Sequence, residues 1–204
     1  MNTTLNEDGQ HQLVEARQSY TGSRLTDSQF DEAWNVAGII DREIHKSGSF
    51  VESLIDYAHA YARKEKFDAA RGEMILRDTF TARYSQSMNQ MRESLMEREA
   101  NLPQTAKQDA LDYARMIEFL IRDGATMPFW RALDHTGAAL AEKLDITETG
   151  AKSLMRRVFQ EVEDKDLYEN GKAFEKQFHQ PVREAEREAR KAERAQLQRT
   201  GPSR

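Results

Sequence analysis

Five polar side chains in the second half of the chain recur at helical spacing and could contact one ligand together. They are Thr149, Lys152, Ser153, Arg156 and Arg157. Residues three, four and seven positions apart share one face of an α-helix, so this spacing predicts a single outward face. Arg and Lys suit phosphate and guanine, and Ser and Thr hydrogen-bond to phosphate or to base edges. These residue types therefore suit contacts with phosphate or base edges rather than a reaction.

The segment that carries this face, over 140–157, reads LAEKLDITETGAKSLMRR. Ala141 is small at the point where a first helix would approach a second closely. Leu144 and Ile146 bracket a short turn and anchor it to a core, and Thr147 is placed to cap the second helix. These features resemble the helix-turn-helix of bacterial DNA-binding proteins, and the resemblance covers roughly a tenth of the chain.

The second half of this motif corresponds to the recognition helix of the family. Ala151 and Leu154 would hold that helix against the first, and the resemblance implies that the five polar residues enter the major groove. Glycine is usual where Asp145 stands because that residue is left-handed, and Asp tolerates the conformation better than most residues. Glu148 suits the dipole at the start of the helix but disfavours a polyanion. We place the motif within 137–160, and an ordinary helical hairpin is the alternative interpretation.

No residues in the sequence predict catalysis, a metal site or a cofactor. The absence of cysteine excludes a disulfide framework, a thiolate zinc site and a Cys nucleophile. The histidines are scattered, and Asp56 and His59 have the spacing of one half of a di-iron ligand set. Neither a glycine-rich phosphate loop nor a Gly-x-Ser-x-Gly elbow occurs. We therefore predict a protein that is not an enzyme and has no small-molecule substrate.

Composition and patterning predict an all-α fold. Four prolines and ten glycines leave few tight turns, and no segment alternates apolar and polar residues as a strand does. The 30 basic and 35 acidic residues, with a net charge of -5, are interspersed as on solvated helix faces. Leu, Ile, Val and Phe together are scarce, which predicts a thin core. We expect a multi-helix bundle of about six to seven helices.

Three regions are predicted along the chain. Residues 1–25 are polar and are expected to form a mobile N-terminal arm. Residues 26–180 are expected to form the helical domain, with Pro181 interrupting its last helix. Residues 181–204 are expected to form a charged helical tail with more basic than acidic residues. Such a polar helix is either solvated alone or completed by a partner.

Some helix boundaries and inward-facing residues can also be predicted. Thr26 with Gln29, and Ser49 with Glu52, have the spacing of capping boxes. One long helix is predicted over 68–99. The residues predicted to face inward from helical spacing include Met74, Met88, Met91, Trp130 and Val162.

Two functions remain open from the sequence. The first is a DNA-binding or regulatory protein that uses the five polar residues, helped by the basic tail and acting as a dimer. It should lose DNA when Arg156 and Arg157 are replaced by Ala. The second is a protein-interaction adaptor or scaffold without nucleic-acid binding, whose partner is lost when the tail from Val182 is deleted. An N-terminus without an apolar leader and the lack of a long apolar run predict a cytoplasmic protein with no membrane partner.

Overall fold

The computed structural model describes residues 25–123 and 127–199, and this part of the chain is helical with no strands. The predicted all-α class is thus confirmed. The described helices are α1 (Asp27–Ser47), α2 (Val51–Glu65), α3 (Ala69–Tyr84), α4 (Met88–Ala100), α5 (Thr105–Asp123), α6 (Phe129–Leu144), α7 (Glu148–Glu163) and α8 (Leu167–Arg199). These are eight helices rather than the six to seven expected. The predicted mobile arm lies outside the described residues except for its last residue, Leu25.

The additional helix arises because the single helix predicted over 68–99 is divided into α3 and α4. Ser85 ends α3 in a left-handed conformation, with a φ of 56°. Ser87 then begins α4 with a capping box, in which its hydroxyl accepts from the Gln90 amide and the Gln90 side chain accepts from the Ser87 amide. Ser side chains compete with the helical backbone for hydrogen bonds, which favours a break here.

The predicted start of α1 is confirmed, but the predicted start of α2 is wrong. Thr26 and Gln29 form the expected capping box, and Gly48 closes α1 with a φ of 69°. At α2 the capping position is Phe50, without any side-chain cap, and the Ser49 amide donates to the Ser47 hydroxyl at 3.2 Å. Phe50 is buried in the core, so packing rather than capping positions the start of α2.

The described residues divide into two compact units. The first contains the residues up to 102 together with 145–147, and the second contains 103–144 with the residues from 148 onward. The core of the first unit includes Ile40, Ile44, Leu54, Leu76, Phe80, Met88, Met91 and Leu95. Burial of Met88 and Met91 agrees with the prediction, whereas Met74 is 48% exposed and was wrongly predicted to face inward.

The second unit consists of α5 to α8. Its buried side chains include Ala110, Ala114, Ile117, Ile121, Phe129, Leu133, Leu140, Leu154 and Val158. Trp130 and Val162, which were predicted to face inward, are about half exposed, at 49% and 55%. The Trp130 ring instead lies at the surface, with its centroid 5.5 Å from that of Tyr168 and 4.9 Å from the Lys172 ammonium.

The last described helix, α8, continues through Pro181, where an interruption was predicted. Proline removes one backbone hydrogen bond from a helix interior and costs about 3 kcal/mol there. The residues after Pro181 are mostly Glu, Arg, Lys and Ala, which favour helix. Every described side chain over 180–192 is exposed, so this part of α8 extends without covering neighbours among the described residues.

Candidate nucleic-acid interface

The segment predicted to be a helix-turn-helix forms two helices, α6 and α7, joined in sequence by the turn Asp145–Thr147. Asp145 has a φ of 53°, so the left-handed conformation implied by the resemblance is confirmed. Ala141 on α6 and Ala151 on α7 are both buried, as a close approach of the two helices requires. Ile146 in the turn is buried as well, at 2% exposed.

The polar residues of the turn are held within the first unit. Arg98 on α4 forms an ion pair with the Asp145 carboxylate. The Thr147 hydroxyl lies 3.1 Å from a carboxylate oxygen of Glu99. Glycine, the usual residue at the left-handed position, could not make the first of these contacts. The ion pair therefore gives a physical reason for Asp at this position.

Gly137 is a second small residue of α6 that sequence reasoning missed. A Cβ atom at Gly137 would lie 2.7 Å from Cγ and Cε of Lys152, so the glycine provides the space that the lysine stem fills. Gly137 precedes Ala141 by one helical turn, and both are buried. Two small residues four positions apart are the sequence signal that could have identified this contact.

Lys152 lies between α6 and α7 rather than pointing freely outward. Its ammonium is 2.7 Å from the Asp134 carboxylate on α6 and 3.8 Å from that of Glu148 on α7. Only 20% of the Lys152 side chain is exposed, whereas Asp134 is 69% exposed. Lys152 therefore links the two helices, and its charge is balanced by nearby carboxylates.

Arg156 is likewise engaged within the molecule. Its Nε donates to Asp166 at 2.7 Å, and its guanidinium lies 4.6 Å from the centre of the Tyr168 ring. Asp166 also accepts from the backbone amides of Tyr168 and Glu169 at the start of α8. Desolvation would raise the pKa of the Asp166 carboxyl, but these amide hydrogen bonds and Arg156 outweigh it and hold the pKa below its usual value. Arg156 thus supports the start of α8.

The other three predicted residues, Thr149, Ser153 and Arg157, lie exposed on α7. Among the described residues, no carboxylate lies within ion-pair distance of Arg157. The five predicted residues therefore share one helix but differ in their surroundings. Carboxylates hold Lys152 and Arg156, and Thr149, Ser153 and Arg157 are exposed on α7.

Metal-binding clusters and membrane-spanning helices are both absent from the described part of the chain. No group of three or more His, Asp or Glu side chains there could hold a metal ion, and Asp56 and His59 are both exposed. Among the same residues, no helix is both long enough and apolar enough to cross a bilayer.

Comparison of the chain with models of known protein families, with curated proteins and with solved structures finds no match. The candidate interface therefore depends on the chemistry and geometry of its own residues.

Proposed function

We propose that this protein is a non-enzymatic DNA-binding protein in which α7 enters the major groove. The observation that carries the proposal is the turn with a left-handed Asp145 that leads into a helix with Thr149, Ser153 and Arg157 exposed. This is the arrangement by which a helix-turn-helix presents its second helix to DNA. A deeply buried or fully ion-paired face on α7 would argue against the proposal.

The dimensions of α7 suit the groove. An α-helix with its side chains is about 10–12 Å in diameter, and the major groove is about 12 Å wide. The exposed face from Thr149 to Arg157 runs about 12 Å along the helix axis, at a rise of 1.5 Å per residue. We assign contacts with base edges to Thr149 and Ser153, and a contact with phosphate or guanine to Arg157.

Lys152 and Arg156 would exchange carboxylate partners for phosphate when DNA binds. In these pairs Asp134 is 69% and Arg156 is 52% exposed, whereas their partners Lys152 and Asp166 are each 20% exposed. Surface ion pairs contribute about 0.2–1 kcal/mol. Giving up these partly buried pairs therefore takes a share of the free energy that the phosphate contacts must supply. A single short recognition helix binds weakly, and we therefore propose that two copies bind paired half-sites.

The direct test is binding of the full chain to a pool of random duplex DNA at low and physiological salt, with light scattering on the same sample. We expect salt-sensitive binding by a dimer, because phosphate contacts release counterions. Arg157→Ala should weaken binding about fivefold or more, since a good contact to a base is worth about 1–3 kcal/mol.

Arg131→Ala is the matched control, because Arg131 on α6 is also exposed. It should bind as the unmodified chain does. The proposal is wrong if no duplex binds at low salt, or if Arg131→Ala weakens binding as much as Arg157→Ala. The double replacement of Arg156 and Arg157 is less informative, because loss of Arg156 also removes its contact with Asp166.

A protein-interaction adaptor is the second candidate, favoured by one face of α8. Val182, Ala185, Ala189 and Ala192 recur at spacings of three and four residues and are exposed. They continue the helical face of Gly171, which is buried. Small residues at this spacing let a second helix approach closely.

A variant with Ala185→Glu and Ala189→Glu tests the adaptor. If α8 joins chains through this face, the two glutamates should abolish the self-association measured by light scattering, because charge is costly to bury in a helix–helix contact. Arg157→Ala should leave that association intact. Unchanged association in the glutamate variant would exclude this face as the contact.

A further inference from the structure

A row of basic side chains runs along one face of α8. This basic stripe consists of Lys172, Lys176, Arg183, Arg187, Arg190 and Arg194. All six residues are exposed. Their separations of three, four and seven positions match the helical repeat, so the six residues lie on one face of the helix.

The stripe is long because α8 is continuous through Pro181. From Lys172 to Arg194 the helix rises about 33 Å at 1.5 Å per residue. One turn of a DNA duplex is about 34–36 Å long. The stripe therefore matches in length one helical turn of duplex.

Most of these cations form no ion pair in the described part of the chain. No carboxylate described there lies within ion-pair distance of Lys176, Arg187, Arg190 or Arg194. Arg183 is 3.5 Å from Glu175, a long and exposed contact. By contrast, Lys191, which lies beside the stripe, pairs with Glu188 at 2.7 Å.

Two of the three acidic residues over 184–188 lie off the stripe. Glu184 and Glu188 fall about 100° or more around the helix from Arg183, at 100° per residue. Glu186 lies at the edge of the stripe, about 60° from Arg183 and about 40° from Arg190, four positions before Arg190. An excess of positive charge therefore remains along one side of α8, although the whole chain has a net charge of -5.

A ligand for such a row must carry regularly spaced negative charge along a length of about 33 Å. Duplex nucleic acid carries one negative charge per ~1.7 Å of its axis. An anionic membrane is the competing polyanion, but helices that lie on membranes present large apolar residues such as Trp, Phe and Leu opposite their basic face. In the exposed part of α8 that side has Val182 followed by Ala185 and Ala189. The small apolar face favours nucleic acid.

We infer that the basic stripe of α8 binds the phosphate backbone of a nucleic-acid duplex independently of its sequence. The inference rests on the proposed function for the class of ligand, but it uses no residue of α7. Under this inference α7 selects the sequence and α8 supplies affinity that is common to all sequences.

The test uses the full chain with Arg183, Arg187, Arg190 and Arg194 all replaced by Gln. The matched control replaces Arg42, Arg92, Arg131 and Lys165 by Gln. These four residues are exposed and lie outside α7 and α8. Both variants remove the same charge, so a difference between them reports position rather than net charge. Circular dichroism verifies that both variants keep their helix content.

Binding to two duplexes of unrelated sequence is measured by fluorescence anisotropy over a range of salt concentrations. The stripe variant should bind both duplexes at least about tenfold more weakly at low salt. The slope of the logarithm of its binding constant against the logarithm of the salt concentration should be smaller in magnitude by about 3–4. Each of the four phosphates that the variant no longer neutralises contributes about 0.9 to this slope. The control should keep the slope of the unmodified chain. Equal slopes in the stripe variant and the unmodified chain would overturn the inference.

Two further comparisons separate this inference from the proposed function. If Arg157→Ala weakens binding while the stripe variant keeps its slope, the inference on α8 fails and the proposal for α7 stands. If the stripe variant alone loses binding, the inference stands and the proposal for α7 fails. A third measurement uses phosphatidylcholine vesicles with and without phosphatidylserine. The inference is overturned, and the stripe assigned to membranes, if two results occur together: the stripe variant loses binding to the anionic vesicles, and it binds duplexes as the unmodified chain does.

Discussion

Arg156 and Arg157 are adjacent in sequence, but their guanidinium groups have different surroundings. Successive residues of a helix point about 100° apart, so neighbouring side chains meet different parts of the molecule. Arg156 reaches Asp166 and the Tyr168 ring, whereas Arg157 lies exposed on α7. The role of an arginine in this hairpin therefore depends on whether a carboxylate lies within its reach, because the residue type is the same in both cases.

Asp134 restrains the most buried of the candidate DNA contacts, Lys152. Asp134→Asn removes the carboxylate 2.7 Å from the Lys152 ammonium and one negative charge beside α7. We expect duplex DNA to bind up to about fivefold more tightly, the equivalent of the ~1 kcal/mol that an exposed ion pair contributes at most. The measurement is anisotropy at fixed low salt.

Asp109→Asn is the control for this prediction, because it breaks a pair of the same length between Asp109 and Lys143. Its effect on DNA binding should be smaller. Weaker binding in Asp134→Asn would contradict the assignment of Lys152 as a DNA contact.

At the scale of elements, close packing between two helices of the second unit leaves no room for a side chain at one position of α8. Gly171 of α8 faces Phe129, the first residue of α6 and a fully buried side chain. The residues of α8 next to Gly171 in sequence are at least partly exposed, whereas Gly171 is buried. At this point α8 therefore contacts Phe129 through a position that has no room for a side chain. Helix propensity alone would favour Ala over Gly here, by about 1 kcal/mol.

Gly171→Ala is therefore expected to destabilise the protein despite the better helix propensity of alanine. The new Cβ would lie 2.2 Å from two ring carbons of Phe129, and the ring has no free space to move into because it is buried. Overpacking of this kind costs about 1–3 kcal/mol. The measurement is the free energy of unfolding in denaturant.

Gln177→Ala, at an exposed position on the same helix, is the control and should change the free energy of unfolding by less than about 0.5 kcal/mol. A Gly171→Ala variant as stable as the unmodified chain would show that α6 and α8 can separate at this point without cost.

At the scale of the whole molecule, net charge is a poor guide to the proposed ligand. The chain is acidic, yet exposed cations without a nearby carboxylate among the described residues gather on α8, with Arg157 on α7 in the same unit. Exposed charges interact over about 8–10 Å at physiological salt, so a local excess can bind a polyanion although the total charge is negative. The salt dependence of binding should therefore follow these residues rather than the total charge.

The sequence by itself determined the helical class and the start of α1, and its resemblance to a helix-turn-helix predicted the left-handed turn at Asp145. Each of these depends on interactions within a few residues, such as the capping box of Thr26 and Gln29 or the tolerance of Asp for positive φ.

Only the tertiary structure decided the break between α3 and α4, the exposure of Met74 and Trp130, and which candidate DNA contacts are engaged. Helical spacing identifies the residues that share a face, but it does not identify the side chains opposite that face. Lys152 meets Asp134, which is 18 positions away in sequence, and the space for its stem is left by Gly137. Contacts of this kind require the distance between two helices, which is set by the packing of the whole unit.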